Sequence, residues 1–318
     1  MQVAANGLTF DVEQSGDATA PPVLLIMGLA MPAAAWPDEF IERLLQHRLR
    51  VIRFDNRDSG GSARVHVTRR QSLQVAMARA LMRLPVRAQY TLDDMAADAA
   101  GVLDALGIAR AHVVGASMGG MIAQVLAARH PDRVATLTSI MSSSGNPSPR
   151  VAFGSSRALR VLLRRPGRLD SGESVTARLM HVFAVIGSPG FRPEPHALRA
   201  HLTRVARRGY DPAGAQRQLL AILASGDRRA LLERITAPTL VIHGADDPLV
   251  PVAAGVDTAR HIPGAQLKVI PGMGHDFAPS LQPMIADSIA ALIRRAPILL
   301  NADSAPPTAP QPAEATSA

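Results

Sequence analysis

Short apolar runs rich in β-branched residues recur along the chain, separated by longer stretches in which apolar side chains return every three or four positions. The runs Leu8 to Val12, Val23 to Met27, Leu49 to Phe54, Ala111 to Val114, Val134 to Ile140, Thr239 to His243 and Leu267 to Ile270 are predicted strands. Most are apolar at consecutive positions rather than at alternate ones, as strands covered on both faces are. Between them lie helices. Thr91 caps one over residues 91–106, with Asp94 three positions on, an apolar stripe of Met95, Val102, Leu103 and Leu106, and Gly107 as its stop. Met118 to Arg129 is another, ending before Pro131. The alternation predicts an α/β fold: a mainly parallel central sheet with helices on both faces.

Residues 142–235 break this rhythm. They contain no convincing buried strand, only Leu- and Arg-rich helical stretches divided by Pro166, Gly190, Pro195 and Pro212, and they read as an inserted helical cap. Segments 1–141 and 236–296 then form the core. A smaller insertion runs from Arg64 to Tyr90, where Leu73, Met77, Leu81 and Leu84 stand against Arg70, Arg79 and Arg83 as an amphipathic basic helix, expected to pack beside the cap rather than to anchor in a membrane. From 297 to 318 the composition is Ala, Pro, Ser and Thr, which predicts disorder.

A chain of 318 residues with 47% hydrophobic content can bury a full core. The net charge of +8 would suggest nucleic acid as a partner, but residues 150–234 alone hold 16 Arg, no Lys and 6 acidic residues, and no recognised nucleic-acid module accompanies them. No nucleic-acid partner is expected. Cysteine is absent, so disulfides, thiolate metal sites and cysteine nucleophiles are excluded. The histidines lack paired ligand spacing, and neither a metal nor another cofactor is expected. Met1 to Gln14 has no basic start and no apolar run, and no stretch approaches the ~20 apolar residues of a membrane span, so a cytoplasmic location is expected.

The chemistry gathers at strand ends. Val113 to Gly120 reads as strand, sharp turn and helix start, with Gly-x-Ser-x-Gly at the turn: the nucleophile elbow, with Ser117 as candidate nucleophile and Gly115 and Gly119 relieving the close approach of strand and helix. Thr239 to Gly244 runs into Asp246 and Asp247, and Leu267 to Ile270 into a glycine-rich loop ending at His275. Serine, acid and histidine thus each follow a strand, in that chain order, and a triad needs all three because the imidazole must accept the serine proton on one nitrogen while a carboxylate fixes the tautomer through the other. Either aspartate could supply the carboxylate. The Met118 amide, at a helix N-terminus, and the Leu29 amide, after the Leu25 to Gly28 strand and turn, are candidate donors to a developing oxyanion. His243, within a strand end, reads as a satisfied buried histidine.

With these motifs, residues 8–295 resemble the α/β-hydrolase superfamily. Ala35 to Phe40, Val51 to Gly60, Val113 to Gly119 and Pro271 to His275 resemble the aclacinomycin methylesterase group of polyketide-modifying esterases. That resemblance implies the α/β-hydrolase fold with a helical lid, selects Asp247, which directly precedes Pro248, as the catalytic acid, and supports Leu29 and Met118 as the backbone oxyanion pair. The three candidate groups together predict acyl transfer to water through an acyl-enzyme, and the apolar lid points to a small hydrophobic carboxylic ester as substrate. A C–C bond hydrolase, a lactonase, and a perhydrolase or cofactor-free haloperoxidase use the same triad, and a non-catalytic small-ligand binding protein is the alternative of another class. Trp36 and Arg57 are expected to serve packing and loop geometry.

Overall fold

The computed structural model describes residues 1–66, 71–163 and 171–296; the tail expected over 297–318 lies outside the described residues, as does Arg70. In chain order the core begins with strands β1 (Gln2–Ala5), β2 (Leu8–Ser15) and β3 (Pro22–Ile26), helix α1 (Asp38–Gln46) and β4 (Arg50–Phe54). Helices α2 (Leu73–Leu81) and α3 (Leu92–Ala105) precede β5 (Ala111–Ala116), α4 (Met118–Arg129) and β6 (Val134–Ile140). Six helices follow without a described strand: α5 (Pro149–Ala152), α6 (Ser156–Leu163), α7 (Gly172–Ile186), α8 (Pro195–Arg207), α9 (Pro212–Ser225) and α10 (Arg229–Leu232). The chain returns to the sheet with β7 (Thr239–Gly244), α11 (Val252–His261), β8 (Gln266–Ile270) and α12 (Gln282–Arg295).

The eight strands form one sheet in the order β1-β2-β4-β3-β5-β6-β7-β8. From β4 to β8 all neighbours are parallel, whereas β1 and β2 are antiparallel additions at one edge. Strand β1 was not anticipated. Its signal is Asn6-Gly7, both at positive φ (47° and 73°), the pair that a tight two-residue hairpin demands.

Consecutive strand residues feed two separate cores, because successive side chains point to opposite faces. Leu24, Ile26, Ile52 and Phe54 pack with Met95, Leu103, Ile122 and Leu126 of α3 and α4. Val23, Leu25, Val51 and Ile242 pack with Phe40, Leu44, Ile285 and Ile289 of α1 and α12. Double coverage explains the unbroken apolar runs. Helix α3 carries the expected cap: Thr91 Oγ1 accepts from the Asp94 amide, and the Asp94 carboxylate accepts from the Thr91 amide.

The insertion at 64–90 departs from expectation at one end. Ala76 of α2 is buried, but Leu81 and Leu84, expected on the apolar stripe, are 64% and 44% exposed, because the helix stops at Leu81 and Arg83 turns the chain at φ 56°.

Candidate active site

Ser117 sits between β5 and α4 with φ 55° and ψ −120°, a conformation that costs of order 1–3 kcal/mol and persists only where its surroundings impose it. They do so here. The Ser117 amide donates to the Ile140 carbonyl at 2.9 Å, and Ser142 Oγ donates to the Ser117 carbonyl at 2.8 Å. A Cβ on Gly115 would lie 2.1 Å from the Gly119 carbonyl oxygen, and one on Gly119 would lie 2.0 Å from that of Ile26. Both obstacles are backbone, so the elbow closes only with glycine at these two positions.

Three loops converge. His275, after β8, places Nε2 3.0 Å from Ser117 Oγ and Nδ1 2.7 Å from Asp247 Oδ2. Asp247, after β7, accepts from the Leu249 and Val250 amides through Oδ1, both at 2.9 Å, leaving Oδ2 for the imidazole. An Nδ1–H donating to this carboxylate leaves the Nε2 lone pair facing the serine hydroxyl. Asp246 instead accepts from the Gly272 amide at 2.7 Å, bracing the histidine loop from outside. His243 is buried; its Nε2 donates to the Val250 carbonyl at 2.9 Å and lies 3.6 Å from Asp247 Oδ2, while Nδ1 has no partner among the described residues. Burial holds its pKa below the ordinary histidine value.

Asp276, next to the site histidine, is tied to the helical segment: Ser188 donates to its carboxylate through both amide and hydroxyl. The His275 amide donates to the Ile186 carbonyl at 2.7 Å. Burial raises the Asp276 pKa.

Leu29 and Met118 line the cavity beside Ser117, and neither amide takes part in the backbone hydrogen bonds among the described residues. The turn that carries Leu29 is held by side chains that sequence reasoning missed. Gln218 of α9 is fully buried; its Oε1 accepts from the Ala30 amide at 2.7 Å and its Nε2 donates to the Arg57 carbonyl at 2.8 Å. Asn56 donates to the Met27 carbonyl at 2.9 Å, and Asp55 accepts from the Ala33 amide at 2.6 Å. The available signal was the polar run Asp55 to Ser59 directly after a buried strand, all of it buried.

Arg57 and Trp36 serve as expected. Arg57 makes a bidentate pair with Asp98, at 2.6 and 2.7 Å, and lies over the Tyr90 ring. Trp36 stacks on Phe40 with centroids 5.3 Å apart.

Above Ser117 opens a cavity of about 1570 Å³. Met27, Met31, Met118, Met121 and Met141 line it, as do Leu179, Phe183 and Ile186 of α7. Among the described residues no cluster of three or more His, Asp or Glu side chains comes together as metal ligands, and no helix is long and apolar enough to cross a membrane.

Comparison with known proteins finds the same fold. The model of the alpha/beta hydrolase fold family matches residues 21–278. The rhodomycin D methylesterase of Streptomyces peucetius is 30% identical over 90% of this chain and 95% of its own length. An esterase from Rhodococcus sp. ECU1013 superposes with a TM-score of 0.72 at 20% identity, covering 93% of this chain and 98% of that one. The enol-lactonase of Burkholderia xenovorans LB400 gives 0.64 at 22% identity, covering 92% of this chain and all of the other.

Proposed function

The chain belongs to the alpha/beta hydrolase fold family, and from that premise we propose that it is a serine esterase in which Ser117, His275 and Asp247 are the catalytic triad. Hydrolysis of esters is the activity its methylesterase relatives share. The observation that carries the finer reading is the unbroken relay from Ser117 Oγ through His275 to Asp247, opening into an apolar cavity.

In this mechanism Ser117 Oγ attacks the ester carbonyl carbon while His275 Nε2 takes the hydroxyl proton, and Asp247 stabilises the resulting imidazolium. The carbonyl oxygen becomes an oxyanion between the Leu29 and Met118 amides. Collapse of this intermediate expels the alcohol, which takes the proton from His275 and leaves an acyl-Ser117 ester. A water molecule, deprotonated by the same imidazole, then attacks the acyl carbon and releases the carboxylic acid. No step requires a cofactor. We assign residues 142–235 the role of a cap, since α7, α8 and α9 supply much of the cavity wall. The volume exceeds the ~300–1,000 Å³ of ordinary small-molecule pockets, so the expected small hydrophobic ester fits with space for one bulkier half.

A fluorophosphonate probe tests the assignment. Covalent labelling of the folded protein is expected, with label and ester turnover both lost in Ser117→Ala, the latter by at least ~10⁴-fold. Undiminished ester hydrolysis by that variant would refute the proposal.

A further inference from the structure

Four large apolar side chains on α2 and the turn behind it face solvent: Val75, Leu81, Met82 and Leu84, at 58%, 64%, 61% and 44% exposure. Their charge surroundings are one-sided. Between Asp58 and Asp93 the chain carries six Arg and no Asp or Glu, so Arg79, Arg83 and Arg87 flank this tip without an acidic neighbour in sequence. The tip is built rather than loose. Arg79 Nε donates to the Pro85 carbonyl at 2.7 Å across the turn, and the start of α2 is held to α9 through Gln216, whose amide donates to the Gln71 carbonyl at 3.1 Å. The same helix reaches the active-site cavity: Ser72 and Gln74 are exposed yet line it, which marks this as the rim, with Leu73 beside them. Leu162 and Leu163 of α6 line the cavity as well, and that helix carries the exposed Arg157 and Arg160.

We propose that the α2 tip docks on an anionic phospholipid surface, seating the cavity mouth at the membrane without any segment crossing it. Leu81, Met82 and Leu84 enter the boundary between headgroups and acyl chains, and the arginines bind lipid phosphates, to which the planar guanidinium is matched. Packing beside the helical segment accounts for the buried Ala76 side of α2 but leaves this apolar tip in water; a negatively charged interface satisfies both its apolar and its cationic character. The catalytic relay lies outside the tip, so docking and hydrolysis of a water-soluble ester are separable.

Sedimentation with vesicles tests this. The wild-type chain is expected to pellet with vesicles of equal parts phosphatidylcholine and phosphatidylglycerol, to ignore phosphatidylcholine alone, and to be released by raised salt. Arg83→Gln/Arg87→Gln should weaken vesicle binding ~30-fold, at about fivefold per arginine, and Leu81→Glu/Met82→Glu should abolish it. Both double variants should hydrolyse p-nitrophenyl acetate as wild type does, which certifies their folding and separates this result from the fate of the triad assignment. Equal binding to both vesicle types, or binding unchanged in the double variants, would overturn the inference. So would a dimer in light scattering that Leu81→Glu/Met82→Glu dissolves in the absence of any vesicle binding, since a second copy would then be what covers the tip.

Discussion

A serine hydroxyl is a poor nucleophile until a base stands ready for its proton, and the triad proposal concerns how Ser117 acquires one. The decisive detail is the division of labour at Asp247, where Oδ1 is committed to two amides and Oδ2 to His275. In Asp247→Asn the amide oxygen can keep the two backbone bonds, which directs the NH₂ group at the imidazole and forces the tautomer that blocks proton transfer from serine. Turnover is expected to fall ~10⁴-fold with little change in thermal stability, as steady-state rates beside a melting curve would show. Residue identity alone left Asp246 and Asp247 as rivals, since they occupy one loop and differ only in where each carboxylate points. A second residue-scale expectation concerns His112 on β5, whose pKa burial, with help from the charge of Arg110, lowers from 6.5 to about 4. The unfolded chain takes up this proton near pH 6.5 while the folded chain resists it down to about 4. Stability from this group is therefore complete above pH 6.5 and is lost as pH falls through that window, by up to roughly 3 kcal/mol. His112→Asn should flatten urea-derived stability between pH 6.5 and 4, and an unaltered pH profile would refute the assignment.

At the scale of elements, strands and helices were legible because each rests on short-range causes: side-chain period, capping residues and glycine turns. The predicted strands β2 to β8 are present with ends shifted by a few residues, and the elbow glycines stand where a Cβ would strike backbone. What joins elements was less legible. Gln218 lies 188 residues from Ala30, and nothing local to α9 marks its amide as the brace of the turn that carries Leu29. Gln218→Leu would leave the Arg57 carbonyl buried without its partner, at ~1–3 kcal/mol, and would free the half-buried Ala30 N–H. Because the Leu29 amide shifts with its neighbour, kcat should drop roughly 10- to 100-fold while KM stays within about twofold. A loss of stability with kcat preserved would show that Gln218 supports the fold alone.

For the whole molecule, the cavity is the property that no element owns: the sheet's loops bring Ser117 and His275 to it, and α2, α7, α8 and α9 supply much of the walls. If these helices define the room for substrate, kcat/KM on p-nitrophenyl esters should rise by at least ~10-fold from acetate to octanoate as apolar surface is buried, at about 0.8 kcal/mol per methylene for the first few. A flat or falling series would place the acyl group elsewhere. The amino-acid pattern by itself determined the layered α/β order, the strained serine turn and the chain order of serine, acid and histidine, since periodicity and local sterics act within a few residues. The tertiary structure alone decided which distant amide steadies the Leu29 turn, how much space stands over Ser117 and that the α2 tip faces water, and it brought to His275 the aspartate that the family resemblance had selected. Those outcomes depend on contacts between segments far apart in the chain, where many pairings satisfy the same local rules and only the packed whole selects one.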